Sequence, residues 1–158
     1  MRGTLPWLGL AVAVVALDQW TKHLAIQGLR LHMPVELLPF LSLTLAHNTG
    51  AAFSFLSDAQ GWQRWFFTGL GLLVSTAIVL WLGRLPRAAR WQACALALIL
   101  GGALGNVWDR IQLGYVIDFI DAHVGGSHWP AFNIADSSIT IGAVMLIIDA
   151  FALRKAPG

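Results

Sequence analysis

Four stretches of this chain are long and apolar enough to cross a bilayer as helices, and they constrain everything else the chain can do. They cover approximately residues 5–26, 62–82, 91–107 and 135–153. A helix needs about 20 predominantly apolar residues to span the hydrocarbon core. The third stretch is the shortest and is rich in glycine. Composition agrees: 57% of the residues are hydrophobic and 11% are charged, where soluble domains carry about 25% charged residues. The expectation is an all-α integral membrane protein, one polytopic domain over residues 1–158. The first stretch has the short basic start of a signal peptide at Arg2, but it runs on into "LDQWTKHLAI" without a small-residue cleavage site, so it reads as a span. The single cysteine, Cys94, excludes an internal disulfide framework.

Four spans put both termini and the loop between spans two and three on one side. That side holds Arg2, Arg84, Arg87, Arg90, Arg154 and Lys155. Basic residues in short loops stay cytoplasmic, so both termini are expected in the cytoplasm. The segments around 27–61 and 108–134 then face outward, with Glu36, Asp58, Asp109, Asp118 and Asp121. The pI near 9.2 therefore follows from topology, and no nucleic-acid partner is implied.

The first outer segment contains "LSLTLA", in which Leu41, Leu43 and Leu45 alternate with smaller residues. A period of two predicts a half-buried strand. "HNTG" supplies a turn and "AAFSF" alternates again, so a small outer β-hairpin is expected. Trp62 and Trp65 suit the aromatic belt at the interface.

Two acids stand out. Asp118 in "YVIDFI" and Asp136 in "FNIADSSI" each sit in an apolar setting, on the same expected side of the membrane. An acid near the start of a helix can simply cap it. If the two acids meet, burial and like charge leave one protonated and one ionised. Such a pair can activate a water and protonate a carbonyl. Asp18 and Lys22, four apart, share a helix face and can form a structural ion pair. Gly101 and Gly105 suit close helix packing. Asn106 and Arg110 lie one turn apart, and Arg110 either holds a carboxylate or carbonyl or snorkels to head groups. Asp149 falls near the inner face, where solvent suffices for it. Asp118, Asp121 and His123 offer ligand atoms but match no strong zinc spacing, so no metal or other cofactor is expected. Ser137 or Ser138 with Lys22 keeps a serine–lysine peptidase open. A small proton-coupled transporter is a further alternative, because intramembrane acids often relay protons.

The ordered blocks "DQWTK", "HNTGAAFS", "GGALGNVWDR", "VIDF" and "FNIADSSITIG" resemble bacterial lipoprotein signal peptidase, or signal peptidase II, across about residues 14–149. The resemblance implies four transmembrane helices with a small outer β-cradle. It implies an aspartic endopeptidase of the bacterial inner membrane, active near the outer face. Its substrates are diacylglyceryl-modified prolipoproteins, cut before the lipid-bearing cysteine. Carried over, the catalytic residues are Asp118 and Asp136, and the substrate-binding residues are Asn48, Asn106, Arg110 and Asn133. Asp18, Lys22, Gly50 and Asp109 take structural or supporting places. Members often carry Gly where this chain has Ser54. Membrane lipid is the expected surrounding partner, and the expected state is a monomer.

Overall fold

The computed structural model describes residues 4–50 and 61–154. Four helices form: α1 (Leu5–Gly28), α2 (Trp62–Arg84), α3 (Arg90–Gln112) and α4 (Ile134–Arg154). Between them lie β1 (Val35–Leu38), β2 (Leu41–Asn48), β3 (Val116–Val124) and β4 (Ser127–His128). Three of the helices, α2, α3 and α4, are long and apolar enough to cross a membrane. α1 has 24 residues, but Asp18, Gln19, Lys22 and His23 dilute the apolar character of its second half.

α3 is the central helix, packed against α1, α2 and α4. Small residues let it approach its neighbours. A Cβ on Gly101 would lie 2.6 Å from the Val14 side chain of α1, and one on Gly105 would lie 2.7 Å from Asp18 Oδ2. The glycine spacing thus serves close packing against α1. On α4, a Cβ on Gly142 would lie 2.5 Å from the Ala95 carbonyl of α3. The helices turn large apolar side chains outward, such as Val12, Leu73 and Phe151, while Gln63, Thr68 and Ser75 are buried. That is the inverse of a soluble bundle and suits a lipid surround.

α3 runs on to Gln112, beyond the expected end at 107, so Asp109 and Arg110 are helical rather than part of an outer loop. Nothing between them breaks a helix until Gly114, whose φ of +88° is the left-handed geometry that terminates helices. The Gly114 N–H closes the end by donating to Arg110 O at 3.2 Å.

The strands form one antiparallel sheet in the order β1-β2-β3-β4. β2 appears where alternation predicts it and reaches Asn48. Its partners are β1 and β3; the expected second arm at 51–55 lies outside the described residues. β3 is the addition. Its run "VIDFID" is buried at nearly every position, so it lacks alternation and carries only the weak signal of a short apolar, β-branched run. Pairing Asn48 with Val116 and Ala46 with Asp118 brings the end of β2 beside the first candidate acid.

Candidate active site

α4 begins at Ile134, directly after Asn133, and the two ends of its first turn bond reciprocally. Asn133 Oδ1 accepts from Asp136 N at 2.9 Å, and Asp136 Oδ2 accepts from Asn133 N at 3.3 Å. This is a capping box with Asn and Asp in its two places. Asp136 is therefore a helix-capping residue, and that role uses only one of its oxygens. The other, Oδ1, receives Asn106 Nδ2 at 2.7 Å.

Asp118 is 1% exposed. Its Oδ1 receives Asn133 Nδ2 at 2.7 Å and its Oδ2 receives Asn48 Nδ2 at 2.9 Å. All four carboxylate oxygens of the two acids thus meet N–H donors. Burial first, and the Asp136 charge second, push the Asp118 carboxyl up to about 7, against the opposing bonds from Asn48 and Asn133 and the charge of Lys22.

Three asparagine amides surround the acids, and each has its oxygen held by a separate donor. Gly50 N holds Asn48 Oδ1 at 2.8 Å, Lys22 Nζ holds Asn106 Oδ1 at 3.1 Å, and Asp136 N holds Asn133 Oδ1 at 2.9 Å. With the oxygen engaged, each amide must present N–H to a carboxylate. Gly50 makes its bond from a φ of +88°, a conformation glycine adopts without strain. A Cβ there would also meet the Phe67 ring at 2.5 Å.

Beneath the amides lies a buried ionic cluster. The expected Asp18–Lys22 pair is present at 2.7 Å, and Lys22 also meets Asp109 at 2.8 Å. Asp109 Oδ2 further accepts from Ile117 N at 3.2 Å, tying the cluster to β3. Asp18 Oδ1 accepts from Ala135 N at 2.9 Å, tying it to α4. Gln19, not among the expected site residues, also takes part: its Nε2 donates to Asp109 Oδ1 at 2.7 Å and to Asp18 Oδ2 at 3.3 Å. Its signal in the sequence is an amide inside an apolar span.

Arg110 meets neither of the sequence alternatives in full. Its Nη1 donates to Asn106 O at 3.3 Å, its guanidinium lies 5.3 Å from the Phe67 ring centre, and its Nε is buried without a partner. No described carboxylate is within ion-pairing distance of it. Asp149 does more than meet solvent, since it accepts from Gln92 Nε2 at 2.6 Å. Asp121 lies three residues from Asp118 and so on the other face of β3, where it meets His128 at 2.9 Å. His123 bonds Ser42 at 3.0 Å. Of the three residues with ligand atoms, Asp118 is thereby separated from Asp121 and His123, which share a face beside His128. The Ser137 and Ser138 hydroxyls donate to carbonyls of their own turn, and the Lys22 bonds run to Asp18, Asp109 and Asn106; no serine–lysine contact forms.

A groove of about 240 Å³ opens onto Asp118 between His47, Asn48 and Pro130. His47 stacks on Tyr115 with ring centres 4.1 Å apart. The site therefore offers two carboxyls held by amides, one of them near neutrality in its titration, beside a cleft open to a substrate.

The family model for signal peptidase II matches residues 10–152. A lipoprotein signal peptidase of Acinetobacter baumannii is 59% identical over 151 residues, covering 96% of this chain and 86% of that protein. Another from Pseudomonas aeruginosa is 51% identical over 156 residues, covering 98% and 92%. Among solved structures, two of a bacterial membrane enzyme obtained by the in meso method superpose with TM-scores of 0.83 and 0.82. Their identities are 34% and 36%, over 95% and 96% of this chain and 90% and 94% of theirs. With a family model matched over most of its length and relatives more than half identical across nearly all of it, this chain belongs to the signal peptidase II family.

Proposed function

We infer that this chain is a membrane peptidase that removes signal peptides from lipoprotein precursors, with Asp118 and Asp136 as its catalytic pair. The observation that carries the reading is Asn133, whose amide donates to Asp118 while its other end is bonded to Asp136. The substrate is the diacylglyceryl-modified precursor, cut before the lipid-bearing cysteine. Apolar helices flanking the site suit a substrate that is itself apolar at both its signal segment and its lipid.

Asp118, near neutrality in its titration, carries the shared proton, and Asp136 is the carboxylate. Asp136 takes a proton from a water as the water oxygen bonds to the scissile carbonyl carbon. Asp118 gives its proton to the carbonyl oxygen. The resulting diol collapses: the C–N bond breaks, Asp136 returns its proton to the leaving nitrogen, and a diol hydroxyl reprotonates Asp118. One water is consumed, and a carboxyl and an amine are released. Metal, nucleotide and acyl-enzyme have no part in these steps. Asn48, Asn106 and Asn133 position the carboxyls, and the unpartnered Arg110 Nε is available to a substrate carbonyl.

The arrangement reads as one polytopic domain with α1 as a fourth span, in the bacterial inner membrane. The arginines at 84, 87 and 90 favour cytoplasmic termini and a site near the outer face. A monomer suffices, because all the named groups come from one chain. The transporter alternative fits less well, since Asp18, Asp109 and Asp118 gather in one hydrogen-bonded cluster around Lys22, Asn106 and Asn133 rather than along a path. Incubating the purified protein with a lipidated precursor tests the reading: a mass change marking cleavage before the modified cysteine is expected, and an intact precursor overturns it.

A further inference from the structure

One buried ionisable cluster takes no part in the chemical steps. Asp18, Lys22 and Asp109 are 0%, 1% and 1% exposed. An ammonium has three donors and no acceptor. Two of the three donors of Lys22 meet carboxylates, at 2.7 Å on Asp18 and 2.8 Å on Asp109. Those two contacts already compensate its charge. The third goes to Asn106 Oδ1 at 3.1 Å.

That third contact has a consequence for the acids. An ammonium can face only the oxygen end of a carboxamide, so the nitrogen end of Asn106 points away from Lys22, and there it finds Asp136 Oδ1 at 2.7 Å. Asn133 Nδ2 reinforces the orientation from the other side, at 3.2 Å from Asn106 Oδ1. A bond from a charged donor is about twice as strong as a neutral one, and bonds in a chain polarise one another. Lys22 therefore both fixes the amide and strengthens its N–H as a donor.

We propose that Lys22 is a positioning residue for the aspartate pair: by holding the oxygen of Asn106 it turns the Asn106 N–H onto Asp136 and makes Asp136 the member that takes the proton from water. The proposal rests on the aspartyl reading given above. The charged groups around Asp136 are Asp118 on β3, Asp109 and Arg110 on α3, and Asp18 and Lys22 on α1. Asp18 adds a mechanical element, because its bond to Ala135 N seats the start of α4 on the same cluster. Asp118 has no equivalent relay; its amides are held by a backbone N–H at Asn48 and by the helix cap at Asn133.

The test measures cleavage of a lipidated precursor against pH, with the full chain in detergent micelles. Lys22→Gln removes the charge and keeps an amide donor, so it leaves the two carboxylates a partner. Donation to a charged carboxylate favours the ionised form, so weakening it lets the pair keep its proton to higher pH. The acid limb of kcat is expected to move up by about one pH unit, with KM changed less than twofold. Asn106→Ala leaves the ionic cluster intact and therefore folds even where Lys22→Gln does not; it is expected to move the same limb the same way. The double variant should move it no further than Asn106→Ala alone. A purely structural Lys22 would scale the rate equally at every pH, and an unmoved limb in Lys22→Gln or in Asn106→Ala overturns the proposal. Asp118→Asn and Asp136→Asn run alongside: cleavage by either overturns the aspartyl reading, whereas their inactivity with an unmoved limb overturns the role of Lys22 alone.

Discussion

Asn133 joins Asp118 to Asp136: its Nδ2 lies 2.7 Å from Asp118 Oδ1, and its Oδ1 lies 2.9 Å from Asp136 N. One side chain thus starts a helix and sets the spacing of two acids. Asn133→Ala should cost about 0.5–2 kcal/mol of stability through the lost cap. It should also lower cleavage by at least about a hundredfold, because a misplacement near 1 Å is enough for that loss. Thermal melting in detergent and precursor cleavage, measured on the same sample, separate the two effects.

Asp118→Asn and Asp136→Asn keep the shape of each side chain and remove its ability to exchange a proton. Each should leave cleavage at the limit of detection in a gel-shift assay of the lipidated precursor. The double variant should be little worse than either, since residues acting as a unit are strongly non-additive. Appreciable turnover by the Asp136 variant would reduce that residue to its cap.

Stability should depend on pH through Asp118. Its carboxyl is pushed up to about 7 in the folded protein from an ordinary 3.8. A raised value means that the folded state binds the proton more tightly than the unfolded state. The stabilisation it brings is complete below about pH 4 and is lost as pH rises through about 7. Asp118→Asn never ionises, so its melting temperature should gain on that of the parent chain between these limits and level off above them. A difference constant from pH 4 to 8 would contradict the burial seen for this group.

Gly50→Ala places a methyl against the Phe67 ring and forces a left-handed φ on alanine. Strain of this kind is worth about 1–3 kcal/mol. The Gly50 N–H that orients Asn48 should shift, and cleavage should fall by about tenfold or more, while helix content measured by circular dichroism stays unchanged. Full activity would show that Asn48 is oriented by other means.

Excess chelator should leave cleavage unchanged. The proposed steps use water alone, and among the described residues no group of three or more His, Cys, Asp or Glu side chains is placed to hold a metal ion. Inhibition that is reversed by added zinc would overturn this.

The elements that were legible in the sequence are those with a strong period or a strong composition. The helices announce themselves by apolar length, and β2 by alternation. Asp118 and Asp136 stand out because an acid in an apolar run is costly, and Asp18 with Lys22 by a spacing of four. β3 was not legible as a strand, because burial on both faces removes the alternation that marks one. The extension of α3 past residue 107 was hidden by Asp109 and Arg110, whose charge suggests a loop until partners inside the bundle are known. Gln19 was hidden for the same reason: its partner Asp109 is 90 residues away. The orientations of the three asparagine amides depend on contacts between elements distant in the chain, and no local pattern encodes them.

The bond between Asp18 and the start of α4 spans 117 residues, and that between Lys22 and Asn106 spans 84. In chain order α1 is made long before either partner exists, and of these contacts only the Asp18–Lys22 pair lies within α1 itself. The bond to Ala135 comes only with α4, which is also the helix that carries Asp136. On the aspartyl reading proposed above, cutting power therefore arises only once α4 has packed against α1 and α3.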